Sequence, residues 1–201
     1  MARRKSSRLL KLARERGVFT VREAGRAGVH SQSITRLLEK GVIERVARGH
    51  YQLSELPVTE HHALAMAARA VPRGVICLLS ALAFHGIGTQ VPADVWIAIP
   101  RASRAPAGTK LPLRIIRVSG AAFTEGIEQR RIEGHPVRVY SVARTLADLF
   151  KYRNRVGLEV ALEALREAWR DKRFTMEALD RAARACRVER VMRPYVEAVV
   201  S

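Results

Sequence analysis

The stretch "TVREAGRAGVHSQSITRLLEKGVIERVARGHYQL", residues 20–53, restricts the fold more than any other part of the chain. Thr20 and Glu23 stand at the T-x-x-E spacing of a capping box, so a helix starts here. Val21, Ala24 and Ala27 make its small apolar face, and Gly28 turns the chain. The next helix carries Ile34, Leu37 and Leu38 as its apolar stripe, with Gly41 placed to cap its end. "VIERVARGHYQL" alternates loosely about Val42, Ile43, Val46, Tyr51 and Leu53, and Arg48-Gly49 at its centre predicts a β-hairpin turning at Gly49. Upstream, Leu9, Leu10, Leu12 and Ala13 predict an amphipathic helix over 5–16 that ends at Gly17. Three helices and a hairpin in this order, with a glycine turn between the second and third, are the arrangement of a winged helix-turn-helix.

In such a unit the first turn of the third helix faces the DNA major groove. Here that turn is polar: His30, Ser31, Gln32 and Ser33, followed by Thr35 and Arg36. If Ile34, Leu37 and Leu38 turn inward, Ser31, Gln32, Thr35 and Arg36 face outward. Glutamine bonds adenine bidentately and arginine bonds guanine, while serine and threonine also suit phosphates. Ser31 has a second reading as the helix N-cap. Arg45, Arg48 and His50 flank the hairpin turn, where an arginine enters the minor groove, rests on the backbone or is simply solvated. Arg3, Arg4 and Lys5 form a basic arm that either adds phosphate contacts or stays unordered. These eleven residues, Ser33 included, are the candidate DNA contacts.

Charge points the same way. The chain has 36 Lys and Arg against 19 Asp and Glu, a formal net of +17 in 201 residues. Residues 1–54 hold 13 of those cations and 4 of the anions, so the basic density is greatest at the amino terminus. A cationic surface favours a polyanion, because each neutralised phosphate releases condensed counterions. A solvated arginine-rich face that binds nothing is the bland alternative.

"SELPVT" reads as a linker, and the division expected is 1–54 and 55–201. In the second part Thr59 is placed to cap a helix running to about Ala70, closed by Pro72 and Gly74. "VICLL" reads as a buried strand and "SALAFHGIG" as a helix capped by Ser80. "VWIAIP" and "LRIIRV" read as strands about a Pro/Gly/basic loop, "RASRAPAGTKLP". "IEQRRIEGHPVRVY" predicts two strands joined at Gly134, the second beginning after Pro136. "SVARTLADLFKY" predicts a helix capped by Ser141, and helices follow at roughly 156–170, 175–186 and 189–199. The expected class is therefore α+β: a winged helix-turn-helix followed by a small mixed sheet with helices.

No metal, phosphate-loop or nucleophile motif stands out, so neither cofactor nor metal is expected, nor catalysis. His61 and His62 of "EHH" are adjacent on a helix and point apart, which favours solvated residues over a metal pair. His85 follows an apolar helix and reads as a core-edge histidine. Asp94 and Asp148 have no carboxylate partner at useful spacing, so an enzyme acting on nucleic acid is the less favoured reading. Cys77 and Cys186 lie far apart in apolar or helical context and are expected as buried free thiols. No apolar run reaches membrane-spanning length and the basic start lacks a signal peptide's apolar core, so a cytoplasmic location and no membrane partner are expected. Arg144 and Asp148, four apart on one helix, read first as a simple surface pair.

Taken together, these segments resemble the AbiEi family of bacterial type IV antitoxins. The family's wing typically ends R-G-x-Y, matched by Arg48-Gly49-His50-Tyr51. Its small Ser-Ala-Leu helix is matched by Ser80-Ala81-Leu82 through His85-Gly86. Its P-V-x-V segment leading to R-T-L-x-D is matched by Pro136-Val137-Arg138-Val139 through Arg144-Thr145-Leu146-Ala147-Asp148. The resemblance implies an autorepressor that binds double-stranded DNA at inverted repeats in its own promoter. It also implies a carboxy-terminal part that counters a nucleotidyltransferase-like toxin without a necessary stable complex. Arg144, Thr145 and Asp148 become a signature of that part, either ordering its helix against the sheet or forming antitoxin surface. Some relatives carry a further nuclease-like domain, and no E-x-K motif of that kind follows here. A stand-alone regulator without a toxin is the other reading the resemblance allows.

Overall fold

A computed structural model describes residues 9, 11–13, 15–39, 42–54, 60–106, 109 and 111–200. The architecture is mixed α+β with two sheets. The expected basic arm (Arg3, Arg4, Lys5), the cap at Gly41 and the cap at Thr59 lie outside the described residues.

The described residues between 9 and 16 are helical up to the bend at Gly17. A strand not anticipated from sequence follows, β1 (Val18–Thr20). Helix α1 (Val21–Arg26) starts on the expected capping box: the Thr20 side chain accepts from Glu23 N, and the Glu23 carboxylate accepts from Thr20 N. Helix α2 (Ser31–Glu39) buries Ile34 and Leu37 as its pattern predicts. Strands β2 (Ile43–Ala47) and β3 (His50–Leu53) form the hairpin, with Arg48-Gly49 as the two-residue turn. Gly49 has φ +75°, a backbone state glycine adopts without steric cost. β1 pairs antiparallel with β3, Phe19 opposite Tyr51, giving the order β1-β3-β2. Three residues are too few to announce a strand by periodicity; pairing with β3 makes them one. Leu9, Ala13, Phe19, Ala24, Val29, Ile34, Leu37, Ile43 and Leu53 close one small core.

Helix α3 (His62–Ala70) leads to the second sheet. Its strands are β4 (Val75–Ile76), β5 (Val95–Pro100), β6 (Leu113–Val118), β7 (Ile127–Ile132) and β8 (His135–Tyr140), in the order β6-β5-β4-β8-β7. β4–β8 and β5–β6 run parallel and the other pairs antiparallel. Both faces are covered, as β5 makes plain. Val95, Ile97 and Ile99 join the α3 residues Leu64, Ala65, Ala67 and Ala68. Trp96 and Ala98 point to the opposite core, built with α4 (Leu78–His85), α6 (Val142–Lys151), α8 (Leu158–Arg170), α9 (Met176–Cys186) and α10 (Glu189–Val200). Two short helices, α5 (Ala121–Thr124) and α7 (Arg153–Val156), complete the chain.

Four local expectations need correction. "VICLL" is a strand only over Val75 and Ile76, because Leu78 already opens α4. Ser80 does not cap that helix but lies buried within it, where its hydroxyl accepts from Trp96 N at 2.9 Å. Pro136 belongs to β8, opposite Arg131, instead of preceding the strand. Arg144 and Asp148 are not a surface pair: they are 0% and 3% exposed and joined at 3.0 Å. The Arg144 guanidinium also donates to Glu125 O and lies 4.1 Å from the centre of the Tyr140 ring. Cys186 donates to the Asp148 carboxylate, so the pair fastens α6 both to the β7 entrance and to α9. Cys77 and Cys186 are free and buried, as expected.

Candidate nucleic-acid interface

The polar first turn of α2 occupies the face opposite its core stripe. Ser31, Gln32, Thr35 and Arg36 are exposed, Ser33 is half-buried, and Ile34 and Leu37 are buried. Ser31 is the first helical residue and its carbonyl accepts from the Thr35 hydroxyl at 3.4 Å. Among the described residues, the side chains of Gln32 and Arg36 have no hydrogen bond or ion pair, so both keep their full donor sets for a ligand. Two further exposed arginines, Arg22 and Arg26, stand one turn apart on α1. Both fall outside the apolar positions of the helix that the Thr20 and Glu23 box defines, which is the signal in the sequence that could have singled them out.

The hairpin brings a second cationic group. Arg45 and Arg48 are exposed, and His50 is half-buried at the start of β3. The His50 ring donates from Nδ1 to Arg48 O at 3.0 Å, which fixes the turn, and Arg45 Nε donates to Ala47 O at 3.4 Å. Arg48 itself projects from the turn without a side-chain partner among the described residues. The register shift between Arg45 and Ala47 bends β2 just before the turn. A bulge there changes the aim of the hairpin tip relative to the rest of the sheet.

The base of this unit is held by charge. The Glu23 carboxyl is held at about 2: burial pushes it up, but hydrogen bonds from Thr20 and Arg69, with the Arg69 charge, outweigh that. Arg16 donates to its other oxygen at 3.1 Å. His62, expected as a solvated residue, is instead half-buried and donates from Nδ1 to Glu133 at 2.8 Å. His85 is half-buried at the edge of the other core and donates to Tyr140 O, consistent with the core-edge reading.

Among the described residues no group of three or more His, Cys, Asp or Glu side chains is placed to hold a metal ion. Among the same residues, no helix is long and apolar enough to cross a membrane.

Comparison with known proteins supports part of this reading. Residues 7–54 match the family described as "Transcriptional regulator, AbiEi antitoxin", which bears out the resemblance drawn from the motifs. No curated protein matches the chain. Among solved structures, the RV2827C protein from Mycobacterium tuberculosis is similar, with a TM-score of 0.66 and 15% identity. That similarity covers 97% of this chain and 77% of the other. At such identity the likeness speaks for the mixed α+β fold alone.

Proposed function

We propose that this protein is a DNA-binding regulator whose amino-terminal part, 1–54, is a winged helix-turn-helix. In this reading α2 lies in the major groove with Gln32 and Arg36 on base edges. Ser31, Ser33 and Thr35 stand on or beside the phosphates. Arg45, Arg48 and His50 of the hairpin, with the arm Arg3, Arg4 and Lys5, add backbone or minor-groove contacts. Arg22 and Arg26 of α1 lie where the first helix of such a motif crosses the backbone. The observation that carries the reading is the exposed polar face of α2, where Gln32 and Arg36 have no partner among the described residues, set against its buried Ile34 and Leu37. The family match over the same residues supports it.

The partner is double-stranded DNA at inverted repeats in the protein's own promoter, where binding represses transcription. The remainder, 55–201, counters a nucleotidyltransferase-like toxin with no stable complex required. That second role rests on the resemblance of the later motifs. A regulator without a toxin is the reading favoured if only 7–54 carries the family character.

The test is binding of the full chain to duplex DNA from upstream of its coding sequence, titrated against salt. Gln32→Ala with Arg36→Ala is expected to weaken binding by about 1–3 kcal/mol per lost base contact and to relax sequence preference. Arg48→Ala is expected to lower the log–log salt slope by about 0.9. Unchanged affinity in the double variant removes α2 as the reading helix. For the toxin role, the product of the adjacent reading frame is expressed with and without the full chain. Growth arrest that the full chain does not relieve rejects it.

A further inference from the structure

Arg69 is the one cation in the otherwise apolar turn "LAMAARA" of α3, and its side chain is only 4% exposed. Its two shortest bonds leave its own sheet. Nη2 donates to Glu23 Oε2 at 2.6 Å, and Nη1 donates to Val18 O at 2.6 Å. Nη1 also lies 3.3 Å from His135 Nδ1. Arginine has no acceptor, so that ring nitrogen accepts and His135 is neutral, with its proton on Nε2. Burial and the adjacent Arg69 charge agree with this, holding His135 down at about 4.

The two strong contacts reach different elements. Glu23 is the third residue of α1 and the acidic half of its capping box, and the oxygen that Arg69 holds also accepts from Thr20 N and Thr20 Oγ1. Val18 belongs to β1, which pairs with β3 of the hairpin. One guanidinium therefore grips both the helix pair and the small sheet from outside. Its fork is what permits this, since a lysine ammonium reaches either partner but lacks the planar spread to serve both. Nearby, the backbones of 15–17 and 133–134 touch directly. A side chain at Gly17 would meet Glu133 O, and one at Gly134 would meet Glu15 O. His62 on the same helix as Arg69 fastens Glu133. His50, at the turn end of the hairpin, lines the cleft beside Arg69 together with Thr20, Glu23 and His135.

We infer that Arg69 is a positioning residue for DNA reading: from α3 it sets where α2 and the hairpin stand relative to the five-stranded sheet. This rests on the proposed DNA reading, and it adds that the part beyond residue 54 takes part in that reading without touching DNA. Arg69 is buried, so it contributes no phosphate contact. Its loss lowers the fraction of molecules with α2 and the hairpin in the binding orientation, and apparent affinity falls by that fraction.

The test uses the full chain with nitroxide labels at Gly25→Cys and Arg166→Cys. Both sites are exposed, a Cβ at Gly25 meets nothing within 4 Å, and Cys77 and Cys186 are buried from the reagent. Pulsed electron resonance is expected to give one narrow distance distribution, and Arg69→Met a clearly broader one. Affinity for upstream duplex DNA is expected to fall roughly tenfold, with the salt slope unchanged. Arg69→Lys, which keeps the charge but one grip fewer, should fall between. Glu23→Gln retains a capping side chain and loses the charge pair, so it decides the matter if Arg69→Met does not fold. An unchanged distance distribution in Arg69→Met, or in Glu23→Gln where the former is unfolded, overturns the inference. So does a broadened one with unaltered affinity. A parent chain that binds no DNA rejects the functional reading, while the distances still decide the orientation.

Discussion

Replacing Asp148 with Asn tests whether the Arg144–Asp148 pair is a buried structural bolt. The substitution keeps the shape of the side chain and removes its charge. Arg144 is 0% exposed, and its remaining partners are Glu125 O and the face of Tyr140. Arg144 Nε already lacks a partner, so the site has no spare acceptor to take over. Leaving one ion of a buried pair without its counter-charge costs about 3–5 kcal/mol. That is a large share of the roughly 5–15 kcal/mol that holds a protein folded. At about 2–4 °C per kcal/mol for a chain of this size, the melting temperature should drop by roughly 6–20 °C. Thermal and urea unfolding followed by far-UV circular dichroism measures it. The double variant Arg144→Met with Asp148→Leu leaves no orphaned charge, so it should recover much of the loss, short of the bond to Glu125 O. A loss under about 1 kcal/mol for Asp148→Asn, the range of exposed pairs, would refute the reasoning.

Two further predictions concern stability. Glu23 is held at about 2 in the folded chain against 4.5 for the free side chain, so its contribution is complete above pH 4.5 and is lost as pH falls toward 2. Acid titration of stability should therefore be shallower in Glu23→Gln than in the parent over that window; equal slopes would deny the role of the carboxylate. Ser80→Ala deprives the buried Trp96 N–H of its acceptor and should cost about 1–3 kcal/mol, read as a lower urea midpoint at constant m-value. A change of a few tenths would mean that another acceptor replaces the hydroxyl.

Local chemistry made much of this protein legible. The Thr20–Glu23 box, the Ile34/Leu37 stripe and the two-residue turn at Gly49 act within a few residues of themselves, so their patterns survive in the chain. The same holds for Ser141, which caps α6 as expected by accepting from Arg144 N. Strands β5 and β6 were also legible, as apolar runs bounded by turns. The direction faced by Gln32 and Arg36 followed from helical geometry alone, since burying Ile34 and Leu37 leaves them outside.

Elsewhere the deciding partner is remote. β1 is a strand because β3 lies beside it, and Ser80 serves Trp96, sixteen residues away. Arg144 and Asp148 have the spacing of a solvated pair, yet Tyr140 of β8, Cys186 of α9 and Glu125, just before β7, enclose them. Spacing specifies that two charges can meet, and burial specifies what the meeting is worth. Arg69 is the clearest case. In sequence it is one arginine among many, and its meaning comes from Glu23 and Val18, 46 and 51 residues upstream. Periodicity reports which way a side chain leaves its own helix; what waits there is decided only when the rest of the chain has packed around it.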